Sequence, residues 1–207
     1  VVDVLCSIYT RQPLKSKIIS ITSISRIAAL NESTQLIVDD RMPKIEMASE
    51  IQENTLVMGR ALRNLILSND KNFEKTQLDT INNSRKRNGE ILDKLRPLIQ
   101  TPEGKAAMEK VNEARAKYNT ALETLLPLAQ STSPKYNQEK AIAFLFADLT
   151  PPANDYVVKN KEFAELQKSQ AQKAGKDSIE AARTAQMMVI AASIIAALIA
   201  IAFAWWI

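Results

Sequence analysis

Residues 187–207 read MMVIAASIIAALIAIAFAWWI and contain no charged residue, no proline and no glycine. At ~1.5 Å of rise per helical residue, this run extends about 30 Å, which is the thickness of the hydrocarbon core of a bilayer. It closes with Trp205 and Trp206, whose indole rings suit the membrane–water boundary. The alternative is a buried core helix, but such helices seldom need so long an apolar run. The stretch therefore predicts a transmembrane helix over 187–207.

The two ends of the chain are harder to interpret. The apolar run stops at Ile207 without a basic flank, so we expect a C-terminal part to continue on the other side of the membrane. Residues 1–17 contain neither an apolar run that could span a membrane nor the pattern of a signal peptide. Either a first transmembrane helix is lacking here or the first residues are artificial. We leave 1–17 unassigned and treat 18–186 as the domain that the membrane helix anchors.

The composition is that of a protein of long helices. Of 207 residues only 4 are Gly and 8 are Pro, and aromatic residues make up 5%. The net charge of +4 includes no basic block and does not indicate nucleic-acid binding. His is absent, and the single Cys6 excludes an internal disulfide and a cysteine-based metal site. Without a Gly-rich phosphate loop either, we expect no enzyme activity, no cofactor and no metal site.

Apolar residues recur at steps of three and four and predict a series of helices. Helix one starts at Ile18 and is kinked but not ended at Pro43, because the period continues on both sides. It ends before Asp70, which is a natural N-cap for helix two. Helix two runs from about Asn72 to Arg96, where the following proline is expected to end it.

Two more helices carry their own start signals. Thr101 as N-cap and Pro102 at the first helical position begin helix three, which runs to about Gln130. Residues 131–134 repeat the pattern of a cap followed by proline, so helix four is expected to start there. It is bent at 150–152 and continues into the membrane helix.

Four helices with short connections are expected to pack antiparallel, as an all-α, up-down-up-down four-helix bundle followed by a transmembrane helix. The two outer helices are about fifty residues long, or ~75 Å, and the two inner helices only ~40 Å. Near the membrane only helices one and four remain, and two helices cannot bury their apolar stripes alone. We therefore expect a homodimer in which a second copy completes a four-helix stalk.

In each of the four helices, apolar residues recur every three or four positions and form a row that we call the apolar seam. Polar residues interrupt these seams at similar distances from the tip of the bundle. A buried guanidinium without a partner costs several kcal/mol, so an arginine at a seam position needs an answering anion. At ~1.5 Å per residue, the main positions lie ~20–24 Å from the tip of the bundle and would form one layer. The candidate ligand-binding residues of this layer are Thr55, Ser84, Arg85, Asn88, Arg115, Tyr118, Thr150 and Tyr156.

The polar layer is expected to bind a small carboxylate, either a di- or tricarboxylic acid or, as second choice, an aromatic acid. Two arginines would supply fixed, always charged forks that match carboxylate geometry. The tyrosines could donate a hydroxyl or stack on a ring. The alternative is that Arg85 and Arg115 pair with local carboxylates such as Asp148 or extend to the surface.

The order of the helices and three local stretches resemble the four-helix-bundle sensory domain of bacterial methyl-accepting chemotaxis proteins. These stretches are 25–31 (SRIAALN), 60–70 (RALRNLILSND) and 114–118 (ARAKY). The resemblance covers residues 25–207. It implies a periplasmic domain, anchored in the bacterial inner membrane, that binds a small molecule and signals to cytoplasmic partners through the C-terminal part. The sequence departs from the family in its first membrane helix, which is unrecognisable, and in lacking the cytoplasmic linker and signalling hairpin.

The resemblance also offers a second location for the ligand. The best-known type of site in that family lies nearer the tip, at the dimer interface, with arginines from helix one. Arg60, Arg63 and Asn64 match this motif approximately, and a solvated helix face is the simpler interpretation of them. Two function classes stay open. One is a receptor that shifts helix four, in a chemoreceptor or a sensor histidine kinase, and the other is a non-sensing, membrane-tethered coiled-coil protein.

Overall fold

The computed structural model describes residue 28 and residues 30–206, which divide into two compact units. One unit comprises residues 40–170, and the other contains the described residues up to 39 together with 171–206. The described residues are helical apart from short connections and include no strand. The interpretation of 1–17, with Cys6, and the start of helix one at Ile18 lie outside the described residues.

The first two helices end close to the residues predicted for their ends. Helix one, α1, consists of residues 30–35, a π-helix at Leu36–Arg41 and an α-helix at Met42–Leu67. It continues through Pro43 as predicted, and the wider π turns directly precede the proline, which cannot donate a backbone hydrogen bond. Helix two, α2, spans Lys71–Leu98 and therefore ends two residues beyond the predicted Arg96.

The N-caps of the inner helices are confirmed by their hydrogen bonds. The carboxylate of Asp70 accepts from the backbone N–H of Asn72 at 2.8 Å and from that of Phe73 at 3.3 Å. The hydroxyl of Thr101 accepts from the N–H of Gly104 at 3.1 Å, at the start of α3. Each cap satisfies donors that the first helical turn leaves free, which stabilises a helix by ~1 kcal/mol. Helix three, α3, spans Pro102–Ala129.

Helix four, α4, starts later than predicted. It runs without interruption over Gln138–Trp206, and its N-cap is Asn137, whose side chain accepts from the N–H of Lys140 at 2.9 Å. The predicted start at 131–134 is wrong. The Ser133 hydroxyl there is used in a turn, since it accepts from the N–H of Lys135 at 3.1 Å.

The predicted antiparallel four-helix bundle is confirmed by hydrogen bonds that join neighbouring helices, some between two side chains and some from a side chain to a backbone carbonyl. Between α1 and α2 and between α1 and α4, residue numbers rise on one helix as they fall on the other. The joined residues are Asn54–Asn88 and Asn64–Gln77 between α1 and α2, Glu74–Ser131 beside α2, and Gln138–Ile66 and Asn160–Ala48 between α4 and α1.

The core of the unit 40–170 lies on the apolar seams read from the sequence. Burying a large aliphatic side chain contributes ~1.5–3 kcal/mol, so these seams dominate the stability of the bundle. Ile142 is an exception, because it stands in the row of apolar residues that helix four shows in the sequence, with Leu145 and Leu149, and yet it is 36% exposed. The largest fully buried aliphatic side chains are Ile51, Met58, Leu62, Leu65, Ile66, Ile81, Ile91, Leu92 and Leu95.

Helix α4 contains a second π-helix, Leu145–Leu149, just before Pro151 and Pro152. Here the N–H of Thr150 bonds to the carbonyl of Leu145, five residues back, and the Thr150 hydroxyl donates to the same oxygen at 2.7 Å. Two successive prolines remove two backbone donors, and the wider turns re-pair the carbonyls nearby. The predicted bend thus coincides with a local change of helix type.

The C-terminal part of α4 is apolar and has the length that a membrane requires. Within it lies an 18-residue window with a mean hydropathy of 2.7, none of it buried in the structure. Of the helices that the structure describes, α4 alone meets the length and composition of a membrane span. Large apolar side chains such as Ile194 and Leu198 are more than half exposed, which suits contact with lipid.

Candidate ligand-binding site in the middle of the bundle

Two stacked tyrosines occupy the centre of the unit 40–170. Tyr118 on α3 and Tyr156 on α4 are each 1% exposed, and their ring centroids lie 6.0 Å apart at an interplanar angle of 22°. Burial raises the pKa of Tyr118 to about 12, against the opposing positive charge of Arg85. Burial also raises the pKa of Tyr156, although the charge of Arg115 and the amide of Asn88 oppose the change. Both rings are therefore neutral hydroxyl donors at physiological pH.

The Tyr156 hydroxyl is the unusual atom of this pair. It is buried, and although the Asn88 amide lies near enough to lower the pKa of Tyr156, that amide donates to Thr55 and Ile51 instead, and no hydrogen bond reaches the Tyr156 hydroxyl within the part of the chain that the structure describes. One turn further along α4, the amide oxygen of Asn160 is in the same situation, while its nitrogen donates to the Ala48 carbonyl. A buried polar atom without a partner costs ~1–3 kcal/mol, so such atoms are rare in native proteins. These two atoms mark a place where an added ligand or water would be stabilised.

A small amide and hydroxyl network lies opposite, between α1 and α2. Asn88, 2% exposed, donates to the Thr55 hydroxyl at 3.3 Å and to the Ile51 carbonyl at 3.5 Å. Its own oxygen accepts from the Asn54 amide at 2.9 Å. Ser84, one turn earlier on α2, is also buried. This network connects two helices, and the influence of Asn88 on the Tyr156 pKa places it beside the tyrosine pair.

Arg115 brings a positive charge to the edge of this polar group. Its side chain is half-buried, and its charge lowers the pKa of Tyr156 against the effect of burial. No carboxylate of the described residues lies within 4.0 Å of its guanidinium. The terminal Nη2 instead lies close to the α2 backbone, 3.0 Å from where a Cβ would stand on Gly89. A guanidinium with five donors and no anion is a ready partner for a carboxylate.

Arg85 and Thr150, also predicted for the layer, are engaged elsewhere. Arg85 forms an ion pair with Glu123 on α3, at the surface between the two inner helices. The alternative interpretation of Arg85 was an ion pair with a nearby carboxylate such as Asp148. The structure shows an ion pair of this kind, with Glu123 as the carboxylate. The Thr150 hydroxyl is bonded within α4. The structure thus brings together Thr55, Asn88, Arg115, Tyr118 and Tyr156, with Ser84 on the same buried face, and directs Arg85 outward.

The alternative site residues lie on a different surface. Arg60, Arg63 and Asn64 are exposed along α1, and the Asn64 amide donates to Gln77 at 3.3 Å. The exposure of these three side chains agrees with the simpler interpretation, in which they form a solvated helix face. It also leaves them accessible to a second chain.

A second polar cluster, which the sequence reading missed, lies where α1 enters the unit 40–170. We call it the lower cluster, and it consists of Asp40, Arg41, Lys44, Gln167 and Gln170. Arg41 Nη1 donates to Gln167 Oε1 at 3.1 Å and to Gln170 Oε1 at 2.7 Å, and Lys44 Nζ lies 2.6 Å from Asp40 Oδ1. Lys44 and Gln167 are buried and continue the seams of Ala48 and Phe163, so following each seam one turn further would have found them.

Comparisons with known proteins agree with this architecture. Residues 15–182 match the family described as a four helix bundle sensory module for signal transduction. Among solved structures the chain is similar to a periplasmic sensor domain of a sensor histidine kinase, with a TM-score of 0.57 and 16% identity. That similarity covers 72% of this chain and 93% of the other, and it shows the fold alone. The comparison with curated proteins gives no match. Because the family match covers most of its length, the chain belongs to the four-helix-bundle sensory modules of signal transduction.

Proposed function

We propose that this chain is the periplasmic input domain and membrane helix of a chemoreceptor of the methyl-accepting type, and that it binds a small di- or tricarboxylate. The observation that carries this proposal is Arg115, a half-buried guanidinium that has no carboxylate partner among the described residues and lies beside the Tyr156 hydroxyl, which has no hydrogen bond among them. A carboxylate would satisfy both at once. The proposal includes no enzymatic step, no cofactor and no metal.

The chemistry of the cluster favours an acid with more than one polar end. Arg115 can hold one carboxylate through two parallel N–H donors. The Tyr156 hydroxyl can donate to a second oxygen, and it is already desolvated, so the bond is made in a low-dielectric setting. An aromatic acid is the second choice, because its ring could stack on Tyr118, whose own ring is packed against Tyr156.

Signalling follows from where the ligand contacts are located. A ligand held by Arg115 on α3 and Tyr156 on α4 binds best in one relative position of these helices. It shifts the receptor only by its differential affinity for the two positions. Because α4 is continuous over Gln138–Trp206, a displacement at Tyr156 is carried along the same helix toward the membrane.

The lower cluster supports such a movement of α4 against α1. A single donor, Arg41 Nη1, is shared by Gln167 and Gln170, which stand three residues apart on one face of α4. A small axial shift of α4 would strengthen one of these bonds as it weakens the other. The contact between the two outer helices can therefore be remade with Arg41 Nη1 hydrogen-bonded to a glutamine oxygen in either position.

We further propose that the receptor is a homodimer in the bacterial inner membrane that signals to cytoplasmic partners. The outer face of α1 displays Leu56 and Leu67, which are 64% and 67% exposed, together with Arg60 and Arg63. A second copy of α1 would cover this face. Sedimentation of the chain in detergent, with and without bound acid, is expected to show a dimer that tightens with ligand. A monomer at all concentrations would contradict this part of the proposal.

A sensor histidine kinase is the second candidate, favoured by the structural similarity to a periplasmic sensor domain of that class. The input domain would work in the same way in both. The cytoplasmic module attached after the membrane helix distinguishes them. Determining the sequence that follows Ile207 in the native protein decides between the two, because a methyl-accepting signalling hairpin there supports the chemoreceptor and a kinase domain supports the histidine kinase.

The binding site is tested by calorimetric titration of the full chain in lipid nanodiscs with succinate, citrate and benzoate. We expect the di- or tricarboxylate to bind and Arg115→Ala to lower its affinity roughly a hundredfold, as loss of a charge-assisted donor does. Arg60→Ala is the matched control and is expected to leave affinity within about threefold. Lost binding in Arg60→Ala beside unchanged binding in Arg115→Ala would move the site to the exposed face of α1.

A further inference from the structure

We infer that Gly89 is a positioning residue of the Arg115 site, and that its missing side chain is what allows the guanidinium to lie against α2. This inference rests on the proposed function and deepens it, because it names how the anion-binding group is oriented. The site would then consist of a donor on α3 and a bare stretch of backbone on α2 that supports it.

The first observation is the close approach itself. A Cβ added at Gly89 would stand 3.0 Å from Arg115 Nη2, which is tighter than an ordinary contact, so the guanidinium would have to move by a few tenths of an ångström. Gly89 lies deep inside α2, which spans Lys71–Leu98, where glycine is less favourable than alanine because it loses more backbone freedom. A glycine in this place costs some helix stability, and the guanidinium that covers it is the neighbour that a side chain would displace.

The second observation is the contrast with Gly59. This glycine is also inside a long helix, Met42–Leu67, and is also half-buried, yet a Cβ added there would meet nothing within 4 Å. The two glycines share helix type and burial and differ in their neighbour. An effect of substituting Gly89 that substitution of Gly59 does not produce is therefore attributed to the contact with Arg115.

The third observation is the position of Gly89 directly after Asn88. Asn88 turns into the core, where its amide acts on Tyr156, while the next residue leaves room for Arg115. Two adjacent positions of α2 thus serve the amide network and the guanidinium. A side chain at 89 would push Nη2 away from the helix and change the direction of its paired donors, on which bidentate binding depends.

The test compares Gly89→Ala with Gly59→Ala in the full chain in nanodiscs. Both substitutions are expected to raise the melting temperature by a few degrees, because alanine favours the helix. Only Gly89→Ala is expected to weaken binding of the citrate or succinate probe, by roughly three- to tenfold, since Arg115 must give way. Gly89→Leu, with its larger side chain, is expected to weaken it further.

A readout without ligand accompanies the titration. Nitrogen-15 spectra of the arginine side chains are expected to show a displaced Arg115 Nε signal in Gly89→Ala and an unchanged one in Gly59→Ala. An unchanged Arg115 signal in Gly89→Ala, or equal losses of affinity in both alanine variants, would overturn the inference. If Gly89→Ala binds normally while Arg115→Ala does not, the inference falls and the proposed site stands. If Arg115→Ala itself binds normally, the proposed site falls.

Discussion

The two buried polar clusters of the bundle use arginine in opposite ways. In the lower cluster Arg41 Nη1 donates to two glutamine oxygens and Arg41 Nε lies 3.4 Å from the Asp40 carboxylate, so the charge of Arg41 is paired within the protein, although this buried Nε makes no hydrogen bond among the described residues. In the middle of the bundle Arg115 has no described carboxylate within ion-pair distance, and Tyr156 beside it has no hydrogen bond. An arginine whose charge is paired within the protein links two helices, whereas an arginine without an ion-pair partner can accept an added anion.

The difference has an energetic meaning. Removing one member of a complete buried cluster leaves its partners unsatisfied and is costly. Removing a group that has no partner costs little and can even stabilise the protein, because its desolvation is no longer required.

The largest expected effect is the contrast between Arg41→Met and Arg115→Met in the absence of ligand. Arg41→Met leaves the buried Gln167 oxygen without its donor and is expected to cost about 2–3 kcal/mol of unfolding free energy. Arg115→Met is expected to be neutral or slightly stabilising. Denaturant unfolding of both variants measures this, and equal losses in the two would remove the distinction between the clusters.

The tyrosine pair predicts how stability depends on alkaline pH. The folded pKa of Tyr118 is about 12 and its ordinary value is 10.0, so the unfolded chain releases this proton first. The stabilising contribution is therefore complete below pH 10 and is lost as the pH rises toward 12, by up to ~1.4 kcal/mol per pH unit. Unfolding experiments from pH 9 to 11 are expected to show a shallower slope in Tyr118→Phe than in the native chain. Parallel slopes would contradict a buried, neutral Tyr118.

A smaller effect is expected when the orphaned hydroxyl is removed. Tyr156→Phe keeps the stacked ring and deletes a buried donor without a partner, so the free domain is expected to gain about 1 kcal/mol. The same change is expected to weaken binding of the di- or tricarboxylate roughly tenfold. Tyr118→Phe is the matched control for the ring. A loss of stability in Tyr156→Phe would show that its hydroxyl has a partner after all.

Most of the fold could be predicted from the sequence because its signals are local. Asp70 and Thr101 are N-caps whose hydrogen bonds reach only two or three residues along the chain, and both are confirmed. The buried apolar positions could be predicted from the helical repeat of three and four residues alone. The start of helix four was wrong because Ser133 can serve a turn as well as a cap, and nothing nearby distinguishes the two uses.

The candidate site could be predicted only in part, for the opposite reason. Asn88, Tyr118 and Tyr156 stand on apolar seams, so their burial follows from periodicity. The pairing of Arg85 with Glu123 joins residues 38 apart and depends on how the two inner helices are rotated. A rotation of a fraction of a turn directs a long side chain either into the bundle or along its surface, and seam counting cannot resolve it.

The most direct test of the account is a nitrogen-15 spectrum of the arginine side chains of the full chain, recorded as citrate or succinate is added. We expect the Nε signal of Arg115 to shift with the binding isotherm and its proton to become protected from exchange, while the signal of Arg41 stays in place. Arg115→Lys and Arg41→Lys assign the two signals. An Arg115 signal that does not respond while those of Arg60 or Arg63 shift would contradict the account.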